Sequence, residues 1–266
     1  MESDVLECLT KNNPAFTCYS TPEFKGIKLK STEIPSPPTN LLERIEEIWK
    51  EEKRQTPHIT NNKIVGVGYI KQGGNYIEMG VSPEEFKWFL TSRLNRVPGY
   101  RLDALGGGGI TKLRYKGNNF VFFAERGKKT GYIGGGNIET VPQGLMDVEA
   151  INEEDPCKMN LLKEYKEEAE GFPKVEEIKY MTIVRNMWGN NVSPTFSLEV
   201  NCNGSSNVFS SRKNGILKIK TLNKDETKRR FAVNVSDLED FIRKYGNDID
   251  WNSRARLKEA FSLHIV

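Results

Sequence analysis

The chain has 266 residues, of which 37% are hydrophobic, enough for a packed core and for one large domain or a core domain with an extension. Its 39 basic and 36 acidic residues leave a formal charge of +3, so no global field draws it onto nucleic acid or an anionic membrane, and phosphate recognition has to be local. Cys8, Cys18, Cys157 and Cys202 stand far apart, with no CxxC and no histidine at ligand spacing, which excludes a zinc motif and a thioredoxin-type pair.

The N-terminus lacks the basic start and apolar core of a signal peptide, and no apolar run approaches the ~18 residues of a membrane span, so a soluble cytoplasmic protein is expected. Residues 1–40, punctuated by Pro35, Pro37 and Pro38, predict an extended lead-in. Leu41, Leu42, Ile45, Ile48 and Trp49 recur at helical spacing, and strands are expected at 63–70 and 76–80 around Gly73-Gly74. Ser82-Pro83-Glu84-Glu85 has the order of a helix start, cap then proline then acids, leading into Phe86, Phe89, Leu90 and Leu94. Gly106 to Gly109 and the glycines of 127–136 read as turns, since neither has the continuation of a P-loop or a dinucleotide fingerprint. Between them a hairpin is expected, 110–115 with 120–125, turning on 116–119. His58 and His264 are isolated, and no GxSxG elbow marks a nucleophile.

Asp155-Pro156 opens a second helix, again cap then proline, carrying Glu164, Glu167 and Glu168 at i, i+3 and i+4. Its buried stripe is expected to be Leu162, Tyr165, Ala169 and Phe172, which turns the three carboxylates toward a cleft. An acidic run of this kind is ordinarily a solvated helix face. Here the upstream glycine loop, the apolar stripe and the strand that follows favour oxygen ligands for a hard divalent ion that handles phosphates. Beyond it, strands are expected at 177–186, 195–202, 216–221 and 230–235, a polar loop at 203–214, and helices from 235 and at 253–263. The interleaving predicts an α/β or α+β layered domain.

Residues 108–172 resemble the Nudix hydrolases. Lys163-Glu164-Tyr165-Lys166-Glu167-Glu168 is similar to the family's helix motif, Arg-Glu-aliphatic-x-Glu-Glu-x-Gly, and Val141-Pro142-Gln143-Gly144 to the turn before it. Three departures stand out: lysine replaces the motif arginine, the closing glycine is Gly171, one place late, and the segment between Glu149 and Lys163 is long. The resemblance implies an α+β fold, an α/β/α sandwich with a mixed central sheet, in residues 106–266. It also implies Mg²⁺ as cofactor, with Mn²⁺ able to substitute. Glu167, Glu168 and the carbonyl of Gly144 would hold the metal, Glu164 would hold it too or orient the water, Lys163 would brace the acids, and Arg126 would bind substrate. Glu199 and Glu226 are candidates for a further acid.

Trp49, the segment from His58 to Val67 and Glu78 to Trp88 loosely resemble the extension of the group that hydrolyses UDP-sugars, making residues 1–105 a lid or substrate-selecting module. The expected partner is therefore a nucleoside diphosphate-linked small molecule, with UDP-sugar first, and neither DNA, RNA nor membrane; the oligomeric state is not legible. Lys163 and Gly171 motivate the alternative of a catalytically inactive binding module. An RNA-cap hydrolase is the third reading, disfavoured by the near-neutral charge.

Overall fold

The structure, a computed structural model, describes residues 3–10, 16–19, 25–57, 59–127, 137–187, 189–205, 208–213, 215–220 and 227–266. His58, Glu226 and most of the 127–136 glycine loop lie outside them.

The centre is a mixed sheet built on β5 (Asp103–Tyr115) and β10 (Asn191–Asn201), which run parallel. On one side follow β9 (Glu177–Asn186) and β1 (Phe16–Tyr19). On the other lie β6 (Asn118–Arg126), β13 (Thr227–Asn234), β12 (Ile216–Ile219) and β11 (Phe209–Lys213), and all these neighbours are antiparallel. Helix α4 (Pro156–Glu168) covers one face, with Cys157, Leu161, Tyr165 and Ala169 in its core. Helices α1 (Ser3–Thr10), α5 (Leu238–Tyr245) and α6 (Trp251–Ser262) cover the other through Val5, Leu9, Phe241, Ile242, Leu257 and Ala260. The expected α/β/α layering with a mixed sheet is what the chain forms.

A second group of strands extends the sheet. β3 (Lys63–Gly73) pairs antiparallel with β4 (Tyr76–Glu85), which pairs parallel with β2 (Gly26–Ser31). Two residue pairs, Gly66↔Ala104 and Val67↔Asp103, join β3 to β5. Helices α2 (Thr39–Gln55) and α3 (Phe86–Arg93) pack with it through Ile45, Ile48, Phe89 and Trp88. β5 begins at Asp103, so it runs across the boundary expected at residue 105.

Several local expectations are overturned. The lead-in holds α1, β1 and β2, because Val5 and Leu9, four apart, bury one helical face completely. Residues 82–85 continue β4 instead of starting a helix, since each pairs with β3; Pro83 lies past the last β4 residue paired to β2, a local edge where a missing N–H is tolerated. The segment 203–214 contains β11, paired with β12. On α4 the fully buried leucine is Leu161, and Leu162 is only half-buried.

Gly106 to Gly109 form no loop: they are the buried middle of β5. Their glycine content answers to close packing, because a Cβ at Gly106 would lie 2.7 Å from the Gly144 carbonyl oxygen, and one at Gly108 would collide with the Arg256 guanidinium. The same absence of side chains lets two parts of the site press against β5.

Candidate active site

The Pro142–Gly144 turn is held on β5 by backbone bonds. Gly109 N–H donates to the Pro142 carbonyl (2.8 Å), Met146 N–H to that of Leu105 (2.9 Å), and the Thr111 hydroxyl to that of Val141 (2.7 Å). The short strand β8 (Gln143–Leu145) thereby pairs Gly144 with Gly107. Helix α4 is pinned against it at Asn160, whose amide oxygen accepts from Asp147 N–H (3.2 Å). Asp155 caps the N-terminus of α4 by accepting from Lys158 N–H, as its sequence predicts. At the other end Arg230, buried on β13, donates to the Glu168 carbonyl at 2.9 Å, and Gly171 adopts a φ of +86°, so the late glycine supplies the left-handed turn that closes the helix.

This framework sets the three glutamates in different surroundings. Glu164 is half-buried and abuts Gly144 so closely that any Cβ at 144 would overlap its carboxyl group. Burial first, then the charges of Glu167 and Asp147, raise its pKa to about 7. The Glu168 carboxyl is enclosed, accepts the Gln143 N–H at 3.0 Å, and is held well above the usual carboxylate range by burial and by Glu139. Glu167 is exposed. No described cation forms an ion pair with Glu164 or Glu168. Lys163 pairs instead with Asp147, on the turn before α4, so it sits beside the acids without bridging them.

Arg126 ends β6 and binds Glu139 of β7 (Ile138–Thr140), with Nε to Oε2 at 2.6 Å. Burial alone would lower its pKa, but Glu139 more than offsets this. Glu139 also accepts from the Gln143 side chain. On α6, Arg256 is almost wholly buried, donating to Gln143 Oε1 at 2.6 Å, Ser193 Oγ at 3.0 Å and Thr140 Oγ1 at 3.3 Å. A cavity of about 660 Å³ opens here, lined by Gly144, Gln143, Glu139, Arg126 and Arg256 on one side and by α3 and the start of α6 on the other. Glu164 and Glu168 are not among its lining residues; each stands against one that is, Glu164 against Gly144 and Glu168 on the Gln143 N–H.

Among the described residues no three acidic, histidine or cysteine side chains converge as a metal cage. The donor set nevertheless fits a hard divalent ion: two part-buried carboxylates with no ion-pair partner among the described residues, beside a backbone brought against one of them by a glycine. Glu199 does not join them. It pairs with Lys112 at 3.2 Å, five residues along β5 from Gly107, about 16 Å away at strand spacing.

The chain matches no family model and no curated protein. Its similarities are structural. They include the NUDIX domain of Shewanella oneidensis NrtR, solved with ADP ribose, at 12% identity over 61% of this chain and 89% of that one with a TM-score of 0.41. A mutT/nudix family protein from Listeria innocua overlaps at 14% identity, 61% and 94% coverage and a TM-score of 0.42. The Ap4A hydrolase of C. elegans does so at 12%, 62%, 99% and 0.34. These overlaps are partial, and the chemistry of the site rests on the residues themselves.

Glu139, Gln143 and Arg256 were missed as site residues. Gln143 lies inside the recognised turn and Glu139 just before it, but neither carries a periodic signal. Arg256 shares the small, buried face of α6 with Ser253 and Ala260, at i−3 and i+4, which is the pattern that exposes it as an interior arginine.

Gly144→Ala is expected to displace the Glu164 carboxyl and to lower any divalent-ion-dependent turnover by about 10- to 100-fold, the range for disturbed metal-site supports. Steady-state kinetics against thermal melting checks this, because a merely structural effect would lower the melting temperature and leave kcat intact.

Proposed function

We propose that the protein is a Nudix-type hydrolase dependent on Mg²⁺, or on Mn²⁺ in its place, that cleaves a nucleoside diphosphate linked to another group, with UDP-sugars as the first substrate class. The observation that carries this reading is the pair of part-buried carboxylates without an ion-pair partner, Glu164 and Glu168, set against Gly144 and Gln143, which line an arginine-rich cavity. When bound, the divalent ion offsets charge on the diphosphate oxygens. Arg126, at the same cavity, offers a planar cation to those oxygens, Glu139 holding it in place. Glu164, held against Gly144, is placed to hold the ion or to orient the attacking water. The water oxygen forms a bond to one phosphorus and the bridging P–O bond breaks, releasing a nucleoside monophosphate and a phosphorylated fragment. No covalent enzyme intermediate is required. The strands and helices before residue 103, which supply the α3 wall of the cavity, would select the substrate.

The pairing of Lys163 with Asp147, away from the glutamates, favours one other reading: a binding module of the same fold without turnover. A panel of nucleoside diphosphate compounds with Mg²⁺ separates the two. Released monophosphate supports the hydrolase, and saturable binding without product supports the module.

A further inference from the structure

Four residues that line this cavity each carry a buried side-chain atom without a hydrogen-bond partner: Arg93 at Nε, Asn191 at Oδ1, Asp250 at Oδ2 and Arg256 at Nε. A buried polar atom left unpaired costs on the order of 1–3 kcal/mol, so several on one surface mark a place where something else completes the bonding. Arg256 belongs to the turn described above. Of the other three, Arg93 ends α3 and Asp250 caps α6, while Asn191 on β10 stands beside Gly106, its Nδ2 3.0 Å from where a Cβ there would lie.

Each has a reason to be fixed where it is. Arg93 ends α3, its guanidinium 5.8 Å from the centre of the Phe89 ring. Asp250 caps α6, and its Oδ1 accepts from Asn252 N–H (3.0 Å) and Ser253 N–H (3.3 Å), which leaves Oδ2 aimed elsewhere. Asn191 begins β10, 9% exposed, with its oxygen unpaired. Neither Asn186 nor Trp251, which also line the cavity, supplies the missing partners.

The set contains one donor and two acceptors, one of them a carboxylate. A second phosphate would meet Arg93 and the other arginines of the cavity, but as an acceptor it would leave Asn191 Oδ1 and Asp250 Oδ2 without a donor. An apolar group would satisfy none. Hydroxyls both donate and accept, so a ring bearing adjacent hydroxyls answers all three. Resting on the diphosphate-hydrolase reading of the neighbouring site, we propose that Arg93, Asn191 and Asp250 form the subsite for the polyhydroxylated ring of the group linked to the diphosphate, and that Arg93 is the contribution of the N-terminal elements to substrate choice. A site built to pair with hydroxyls rejects an analogue lacking them far more strongly than an apolar pocket does.

The test compares binding of UDP-glucose with UDP-cyclohexyl, the same diphosphate carrying a ring without hydroxyls, by calorimetry on the full chain. The wild type is expected to favour UDP-glucose at least tenfold. Asp250→Asn keeps the capping oxygen and turns Oδ2 into a donor; Arg93→Met keeps the apolar stem and removes the donor. Each is expected to bring the ratio to within about threefold of unity, with the variants' melting temperatures confirming that they are folded. A wild-type ratio near one, or a ratio unchanged in both variants, overturns the subsite. If the wild type bound neither compound the subsite would also fall, while Mg²⁺-dependent hydrolysis of any other diphosphate would show that the catalytic reading survives it.

Discussion

Glu164→Gln and Glu168→Gln are each expected to lower Mg²⁺-dependent turnover by at least about 100-fold, the scale on which a positioned acid–base group contributes, while stabilising the metal-free protein at pH 8. The opposite signs follow from burial. In the folded protein Glu164 holds its proton up to about pH 7, whereas in the unfolded chain it ionises near the ordinary value of 4.5. Between these values the folded state binds more protons, so its stability falls as pH rises through that window and stays low above it. Glutamine removes the penalty along with the function. Thermal melting in EDTA from pH 5 to pH 8 should show a downward slope for the wild type that flattens in Glu164→Gln, with the variant melting higher at pH 8. Each kcal/mol recovered corresponds to about 2–4 °C for a chain of this size. A variant that melted lower at pH 8 and kept its turnover would remove Glu164 from the site.

Arg256→Met is expected to destabilise the fold by about 1–3 kcal/mol, the cost of leaving the buried oxygens of Gln143, Ser193 and Thr140 without their donor. The guanidinium is buried against Gly108, bonds to Gln143, Ser193 and Thr140, and lies near Asp250, Glu139 and Glu168, whose charges oppose the lowering of its pKa by burial. Methionine matches the stem and fills much of the volume, so the loss is chiefly electrostatic and of hydrogen bonds, not a cavity. Urea denaturation should show a lower midpoint with an unchanged slope. A shift under 1 kcal/mol would mean that Gln143 and Ser193 find other partners.

The sequence is most informative where one local rule acts alone. The Asp155-Pro156 cap starts α4 at the residue expected, and Glu177–Asn186 forms β9 over its whole predicted length. It misleads where tertiary pairing overrides a local rule. Ser82-Pro83-Glu84-Glu85 satisfies every local criterion for a helix start, yet four pairings with β3 keep it a strand. The run Gly106 to Gly109 reads as a turn because glycine usually turns, and only partners distant in the chain, Gly144 against Gly106, Arg256 against Gly108 and Leu198 against Gly109, explain why a buried strand lacks side chains there. For the same reason the three glutamates were legible as a group but not as individuals. Their spacing puts them on one arc, whereas their separate characters come from the Gly144 backbone and Gln143 N–H for the two enclosed acids, and from open solvent for Glu167.

The interior asparagine, aspartate and arginine of the large cavity had no sequence signature, since each belongs to a different element and none stands in a motif. Among the described residues no helix is long and apolar enough to cross a membrane.

The most direct measurement is release of nucleoside monophosphate from a panel of nucleoside diphosphate-linked compounds, UDP-sugars included, by the wild-type chain with Mg²⁺ and with EDTA. The account predicts release from at least one compound that requires the ion and is lost in Glu168→Gln. Release that persists undiminished in EDTA, or in the variant, would contradict it.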